Sequence, residues 1–182
     1  TLSVLPKDKS PRPISSKLKL TEPLPNKTRF NSSKDFVQTM LPHAKLVAAE
    51  YEVDPKILIA HAALETNWGR SIPGHKAGNP CYNLFGIKSS KKAPHRKVKT
   101  HEYRRGVKRT EYAHFRVYRD YSDCFNDYMK LMNKTRFKKV LNLGDNPRAY
   151  FTHLQKAGYA TDPKYADKLM RVYNHPSLKS VS

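Results

Sequence analysis

Apolar positions recur at helical spacing along most of the chain after residue 33, and at strand spacing in one interval. Phe36, Val37, Met40, Ala44, Val47 and Ala48 predict a helix that opens at Ser33, with Pro42 kinking it or dividing it in two. Asp54 followed by Pro55 marks the start of a second helix, Asp54–Trp68, because a capping side chain is followed by the residue suited to the first helical position. This run, Ile57-Leu58-Ile59-Ala60-His61-Ala62-Ala63-Leu64, is apolar on more than one face and ends in Glu65, the one tryptophan Trp68, and Gly69. Residues 97–103 and 111–118 are β-branched, aromatic and alternating. They predict a hairpin that turns through Arg104-Arg105-Gly106 and Lys108-Arg109. The helical period then returns. Ser122 is the expected cap of a helix carrying Phe125, Tyr128, Met129 and Met132, and Pro147 opens one carrying Tyr150, Phe151, Leu154 and Ala157, closed by Gly158. A last helix opens at Thr161 or Asp162 with Pro163, carries Tyr165, Leu169 and Val172, and stops before Pro176. The fold class expected from this order is α+β, mostly helical, with a small β-hairpin lobe.

Composition changes the picture at the ends and at the surface. Residues 1–32 hold Pro6, Pro11, Pro13, Pro23 and Pro25 among lysines and arginines, and read as a Pro/Lys-rich linker or tail. The domain is expected over residues 33–176, with 177–182 as a C-terminal tail. Thirty-five basic against 15 acidic residues give a formal charge of +20, which calls for an anionic partner: nucleic acid, an anionic membrane surface, or a polymer such as a bacterial cell wall. No apolar run approaches the roughly eighteen residues of a membrane span, and no signal-peptide core is visible. A chain that begins at Thr1 is expected to be a processed product or an excised fragment. Cys81 and Cys124 are too few for a disulfide framework and lack zinc-site spacing, so two free thiols and no metal or cofactor are expected.

The chemistry centres on Glu65. An acid in the last turn of an apolar helix meets the negative end of the helix dipole and apolar neighbours, and both are expected to raise its pKa toward the range of a general acid. The plain alternative is a glutamate pointing out of the final turn. Glycosidic cleavage needs a second carboxyl that stays ionised. On the basic hairpin Glu102 lies beside His101, Tyr103 and Arg104, and Glu111 between Thr110 and Tyr112; Glu111 reads as an ordinary charge partner, while Glu102 stays open. Tyr159, directly after Gly158 in an interhelical joint, can be aimed into a groove or can pack over the turn. Trp68, Tyr82, Phe85, Tyr103 and Tyr118 are the aromatic candidates for stacking on sugar rings, against the reading that they are core.

These residues fall into blocks. Ala62-Ala63-Leu64-Glu65-Thr66-Asn67-Trp68-Gly69, Tyr82-Asn83-Leu84-Phe85-Gly86-Ile87-Lys88, Thr100-His101-Glu102-Tyr103, Phe115-Arg116-Val117-Tyr118 and Ala157-Gly158-Tyr159-Ala160-Thr161-Asp162-Pro163-Lys164-Tyr165-Ala166 resemble, in this order, the signature blocks of the glucosaminidase domains of glycoside hydrolase family 73. The resemblance covers about residues 34–175, and within the family it is nearest to the flagellar rod-associated branch of Gram-negative bacteria. It implies a two-lobed, lysozyme-like fold and cleavage of the β-1,4 link on the N-acetylglucosamine side of peptidoglycan, in the periplasm or outside the cell. It implies Glu65 as catalytic acid, Glu102 as second carboxylate and Tyr159 as an assisting tyrosine, with Asn83 joining the aromatic residues as a substrate contact. Either Glu102 activates water or the substrate's N-acetyl group attacks. The hairpin is more basic than the flagellar type leads one to expect, and residues 1–32 show nothing like a rod-assembly domain. The partners implied are glycan strands, anionic wall polymers and flagellar rod proteins, for a monomeric enzyme. The rival readings are a lytic transglycosylase or muramidase, and a non-catalytic module in which the basic, aromatic ribbon binds wall polymer or nucleic acid; nucleic acid is not expected, because no nucleic-acid motif is present.

Overall fold

The computed structural model describes residues 23–76, 78–89, 94–104 and 106–181, with the backbone alone at 100–104 and 109. Helix α1 runs Ser33–Tyr51. Its cap is Ser32, one residue earlier than expected, whose Oγ accepts from the Asp35 N–H at 3.0 Å. Pro42 lies inside α1, which continues through it as one helix and is not divided. Helix α2, Pro55–Thr66, starts as the sequence predicts: Asp54 accepts from the Lys56 N–H at 2.9 Å and Pro55 occupies the first turn. Residues 57–63 of α2 are all buried, so this helix has no solvent face over two turns and runs through the middle of the body. Helix α1 packs on one part of its surface and α5 on another.

Strands β1, His95–Arg104, and β2, Val107–Arg116, form an antiparallel ribbon. Arg104 pairs with Val107, so the strands are longer and the turn shorter than predicted, with Gly106 at φ +74°. A two-stranded ribbon has too little apolar face to stand alone. Its base is fixed to the body by the Ser89 N–H to His114 carbonyl bond (2.8 Å), the Arg116 N–H to Ile87 carbonyl bond (2.9 Å) and the buried ring of Phe115. Farther out, Val107 and Tyr112 are exposed.

Helix α3, Tyr121–Lys134, is capped by Asp120, not by Ser122; the Ser122 hydroxyl instead meets His43 Nδ1 at 2.6 Å in the core. A 3-10 turn, Lys138–Asn142, leads to α4, Pro147–Lys156, where Asn146 caps and Gly158 (φ +81°) follows the end as predicted. Helix α5 is Tyr165–Tyr173, with Asp162 accepting the Lys164 N–H in the turn before it. The chain then forms a further short helix, α6, Pro176–Lys179, whose Leu178 is fully buried. The body therefore extends past residue 176, where a tail was expected. It also begins before residue 33. Of the expected linker, residues 1–22 lie outside the described residues, while residues after 23 lie on the body. The Pro25 carbonyl meets His43 Nε2 at 2.6 Å, the Lys27 carbonyl accepts from Tyr121, and Phe30 packs edge-on against Phe36. Cys81 and Cys124 are buried free thiols.

Candidate active site

Helix α2 ends at Thr66, and Asn67 (φ +49°) and Trp68 (φ +57°) then turn the chain through left-handed backbone. The Thr66 hydroxyl accepts the Gly69 N–H at 2.9 Å and donates to the Ala62 carbonyl, which holds the turn. Gly69 (φ +84°) is required there, since a Cβ would lie 2.4 Å from the Phe30 ring. The result is that Glu65, 28% exposed by its side chain, stands at the edge of the body beside the ribbon.

Its carboxyl group is held from α5. The Tyr165 hydroxyl donates to Glu65 Oε1, and His61 Nε2 lies 2.9 Å from that hydroxyl and 3.6 Å from the same carboxyl oxygen. The Tyr159 ring stacks on Tyr165 and meets the His61 ring at 4.5 Å between centroids. Burial pushes the Glu65 pKa up, as expected from the sequence, but the hydrogen bonding and charge of His61 and the Tyr165 hydroxyl outweigh it. The pKa lies below the usual carboxylate value, which reverses the expected direction. Tyr159 and Tyr165 are pushed upward by burial and then by the Glu65 charge, so both stay protonated phenols.

A groove of about 740 Å³ opens from Glu65 along the inner side of β1. Arg70, Lys76, Arg96, Lys97 and Lys99 line it, with Asn83 and Phe115 in the lining as well. Arg96 donates to the carbonyls of Asn79 and Pro80, tying the ribbon to the loop that forms the opposite wall. Lys97 lies 4.6 Å over the Tyr112 ring.

The other predicted residues divide clearly. Glu102 and Tyr103 stand on β1 opposite Arg109 and Lys108, and their side chains lie outside the described part of the structure. Asn83 is fully buried; its amide donates to the Ile87 and Arg116 carbonyls and accepts the Ile87 N–H, so it shapes the loop that lines the groove. Phe85 is 6% exposed and stacks on Tyr128 at 4.2 Å, which leaves no free face for a sugar. Trp68 packs between Phe36 and His175, outside the groove lining, and Tyr82 packs on His75 and Tyr121. The Tyr118 hydroxyl donates to Asp127 at 2.6 Å, beside Arg116 on the same carboxylate. Phe85 is thus buried in the body, while Trp68, Tyr82 and Tyr118 pack on it and keep part of their surface exposed. The sequence reading missed His61 and Tyr165. The signal for His61 is its position one turn before Glu65 on an otherwise apolar helix; Tyr165 carries only a helical apolar position and a place in the last of the family-like blocks. Among the described residues no group of His, Cys, Asp or Glu has the arrangement of a metal site.

A glucosaminidase family, described as mannosyl-glycoprotein endo-beta-N-acetylglucosaminidase, matches residues 41–178. The chain belongs to this family. The glucosaminidase domain is 40% identical over 149 residues to the peptidoglycan hydrolase FlgJ of Pseudomonas aeruginosa, covering 80% of this chain and 37% of that protein. It is 37% identical to the exo-glucosaminidase LytG of Bacillus subtilis, covering 80% of this chain and 56% of that one. The chain thus spans about half or less of these relatives. Among solved structures, the C-terminally truncated glycoside hydrolase domain of Salmonella typhimurium FlgJ superposes with a TM-score of 0.69 at 34% identity, covering 83% of this chain and all of that one. A peptidoglycan hydrolase mutant from Sphingomonas sp. A1 gives 0.69 at 40% identity, covering 80% and 96%. The mostly helical body with a small antiparallel ribbon is therefore the fold of this family.

Proposed function

We propose that the domain hydrolyses the β-1,4 bond on the N-acetylglucosamine side of peptidoglycan glycan strands. The observation that carries this reading is Glu65, a carboxyl at the end of a buried helix, held by Tyr165 and facing a cationic groove. Glu65 gives its proton to the glycosidic oxygen as the C1–O bond breaks. In the free domain it is ionised at neutral pH, so the proton must be regained on binding. Sugar and ribbon covering the exposed part of its side chain extend the burial that already pushes its pKa up. Water attacks C1 and loses its proton to Glu102. Glu102 stands on the same strand as Arg96, Lys97, Val98 and Lys99 of the groove lining, about 13 Å farther along it than Val98. Tyr159, neutral and beside Glu65, supports the oxocarbenium-like centre.

The charged residues of the groove lining other than Glu65 are all cationic, which suits a polymer that carries carboxylates or phosphates. The similarity to the peptidoglycan hydrolases of Pseudomonas aeruginosa and Sphingomonas sp. A1 supports peptidoglycan as the substrate. Among the described residues no helix is long and apolar enough to cross a membrane. We place the domain in the bacterial envelope, periplasmic or secreted, as a monomer acting on glycan strands, with anionic wall polymers and flagellar rod proteins as further partners. Digestion of purified sacculi followed by mass spectrometry of the fragments tests the bond cleaved. Reducing N-acetylglucosamine ends are expected; 1,6-anhydro-muramic ends or reducing N-acetylmuramic ends would replace the assignment by a transglycosylase or a muramidase. Glu102→Gln is expected to lower kcat by about a hundredfold with little change in KM. A variant as fast as the parent would give the attack to the substrate's N-acetyl group.

A further inference from the structure

His61 is a fully buried titratable side chain that this reaction leaves without a role. Its ring is enclosed from every side: Tyr128 on α3, Tyr165 on α5, Tyr159 from the α4–α5 joint and Phe85 from the loop before the ribbon, with Glu65 one turn along its own helix. Nδ1 lies 2.8 Å from the Tyr128 hydroxyl, which lies 2.9 Å from the Tyr150 hydroxyl on α4. Nε2 lies 2.9 Å from the Tyr165 hydroxyl.

Counting hydrogens fixes the roles at the Glu65 end of this chain. An ionised carboxylate only accepts, so Tyr165 uses its single hydroxyl hydrogen on Glu65 Oε1. The Tyr165 oxygen can then bond His61 only as an acceptor, and Nε2 must carry a hydrogen. The donors at this end run from His61 through Tyr165 to Glu65, whether Nδ1 accepts from Tyr128 in a neutral ring or donates to it in a charged one. The opposite arrangement has a different consequence. If Nε2 were bare, it would accept the Tyr165 hydrogen, the Tyr165 oxygen would accept from Oε1, and the Glu65 proton would sit on the oxygen turned toward the core. We propose that His61 is a positioning residue: by keeping a hydrogen on Nε2 it makes Tyr165 donate to Oε1 and reserves Oε2 for the proton given to the glycosidic oxygen. The same ring contributes to the lowering of the Glu65 pKa.

The inference rests on Glu65 as the acid, and its test is separable from the test of that role. Histidine ring nitrogens labelled with 15N, with the His61 signals assigned by their loss in His61→Gln, are expected to show a protonated Nε2. Glutamate labelled at Cδ with 13C, with Glu65 assigned by its loss in Glu65→Gln, is expected to titrate higher in His61→Gln by roughly one pH unit. The kcat of that variant is expected to fall about tenfold with KM little changed, because the sugar contacts are elsewhere. Glutamine retains a polar group of nearly the same reach, so His61→Gln is expected to fold, as melting curves verify, but its amide presents oxygen as readily as nitrogen to Tyr165 and no longer commits a hydrogen there. A bare Nε2 in the parent, or a Glu65 titration that coincides in parent and variant, overturns the positioning role. An active Glu65→Gln overturns the acid itself.

Discussion

Glu65→Gln is expected to lower the rate of sacculus hydrolysis by about a thousandfold while the melting temperature stays within about 2 °C of the parent. Glutamine has the shape of glutamate and its amide oxygen still accepts the Tyr165 hydroxyl, so the end of α2 and its contact with α5 survive. What is lost is the transferable proton, and a thousandfold in rate corresponds to about 4 kcal/mol of transition-state stabilisation. No other carboxyl takes over at this point of the groove, because among its described lining residues Glu65 is the only acid and the other charged ones are lysines and arginines. Loss of turbidity of purified sacculi gives the rate, and a circular-dichroism melt verifies the fold. A folded variant that retains a substantial part of the parent's rate would remove Glu65 from the chemistry and leave the groove as a binding surface.

How much of this was legible in the chain depended on the distance over which each feature is decided. The course of α2 was legible because its determinants are local: Asp54 and Pro55 start it, and an apolar run without a polar face means burial. Gly158 after α4 was legible for the same reason. The sign of the Glu65 pKa was not. Local context supplied burial and the helix end, both raising it, while the groups that reverse it are a histidine whose orientation is set by α3 and α5, and a tyrosine 100 residues away. The aromatic candidates were hard to sort for another reason. The ring that stacks on a sugar and the ring that fills a core are the same residue type, and only burial separates Phe85 from a binding-site aromatic. At the caps, Ser32 and Asp120 were displaced by one or two residues from the expected Ser33 and Ser122, since neighbouring positions offered equally good capping groups.

Gly144→Ala is expected to be among the most damaging single-methyl changes in the body, lowering stability by about 2–4 kcal/mol and the melting temperature by roughly 6–12 °C. The reason is not backbone conformation, for Gly144 does not adopt the left-handed φ of the other glycines. It is space. Gly144 lies where the connection between the 3-10 turn and α4 crosses the α1–α2 turn, and a Cβ there would stand 2.4 Å from the Glu52 carbonyl oxygen and 2.9 Å from Val53 Cα. Both are backbone atoms, which cannot rotate away as a side chain would. The chain on one side must move, and three contacts depend on its position. The Gly144 carbonyl accepts the Asp54 N–H at 2.8 Å, Asp54 caps α2, and Tyr173 of α5 donates to the same Asp54 carboxylate at 2.6 Å. Gly78→Ala provides the comparison. Gly78 has φ +69° but open space around it, so alanine there costs only the left-handed conformation, about 1 kcal/mol. Thermal melts in which Gly78→Ala is the more damaging of the two would refute the crossing as a packing constraint. Below its melting temperature Gly144→Ala is expected to retain most of its hydrolytic activity, because the disturbance is at the start of α2 and Glu65 is at the other end, roughly 15 Å along the helix.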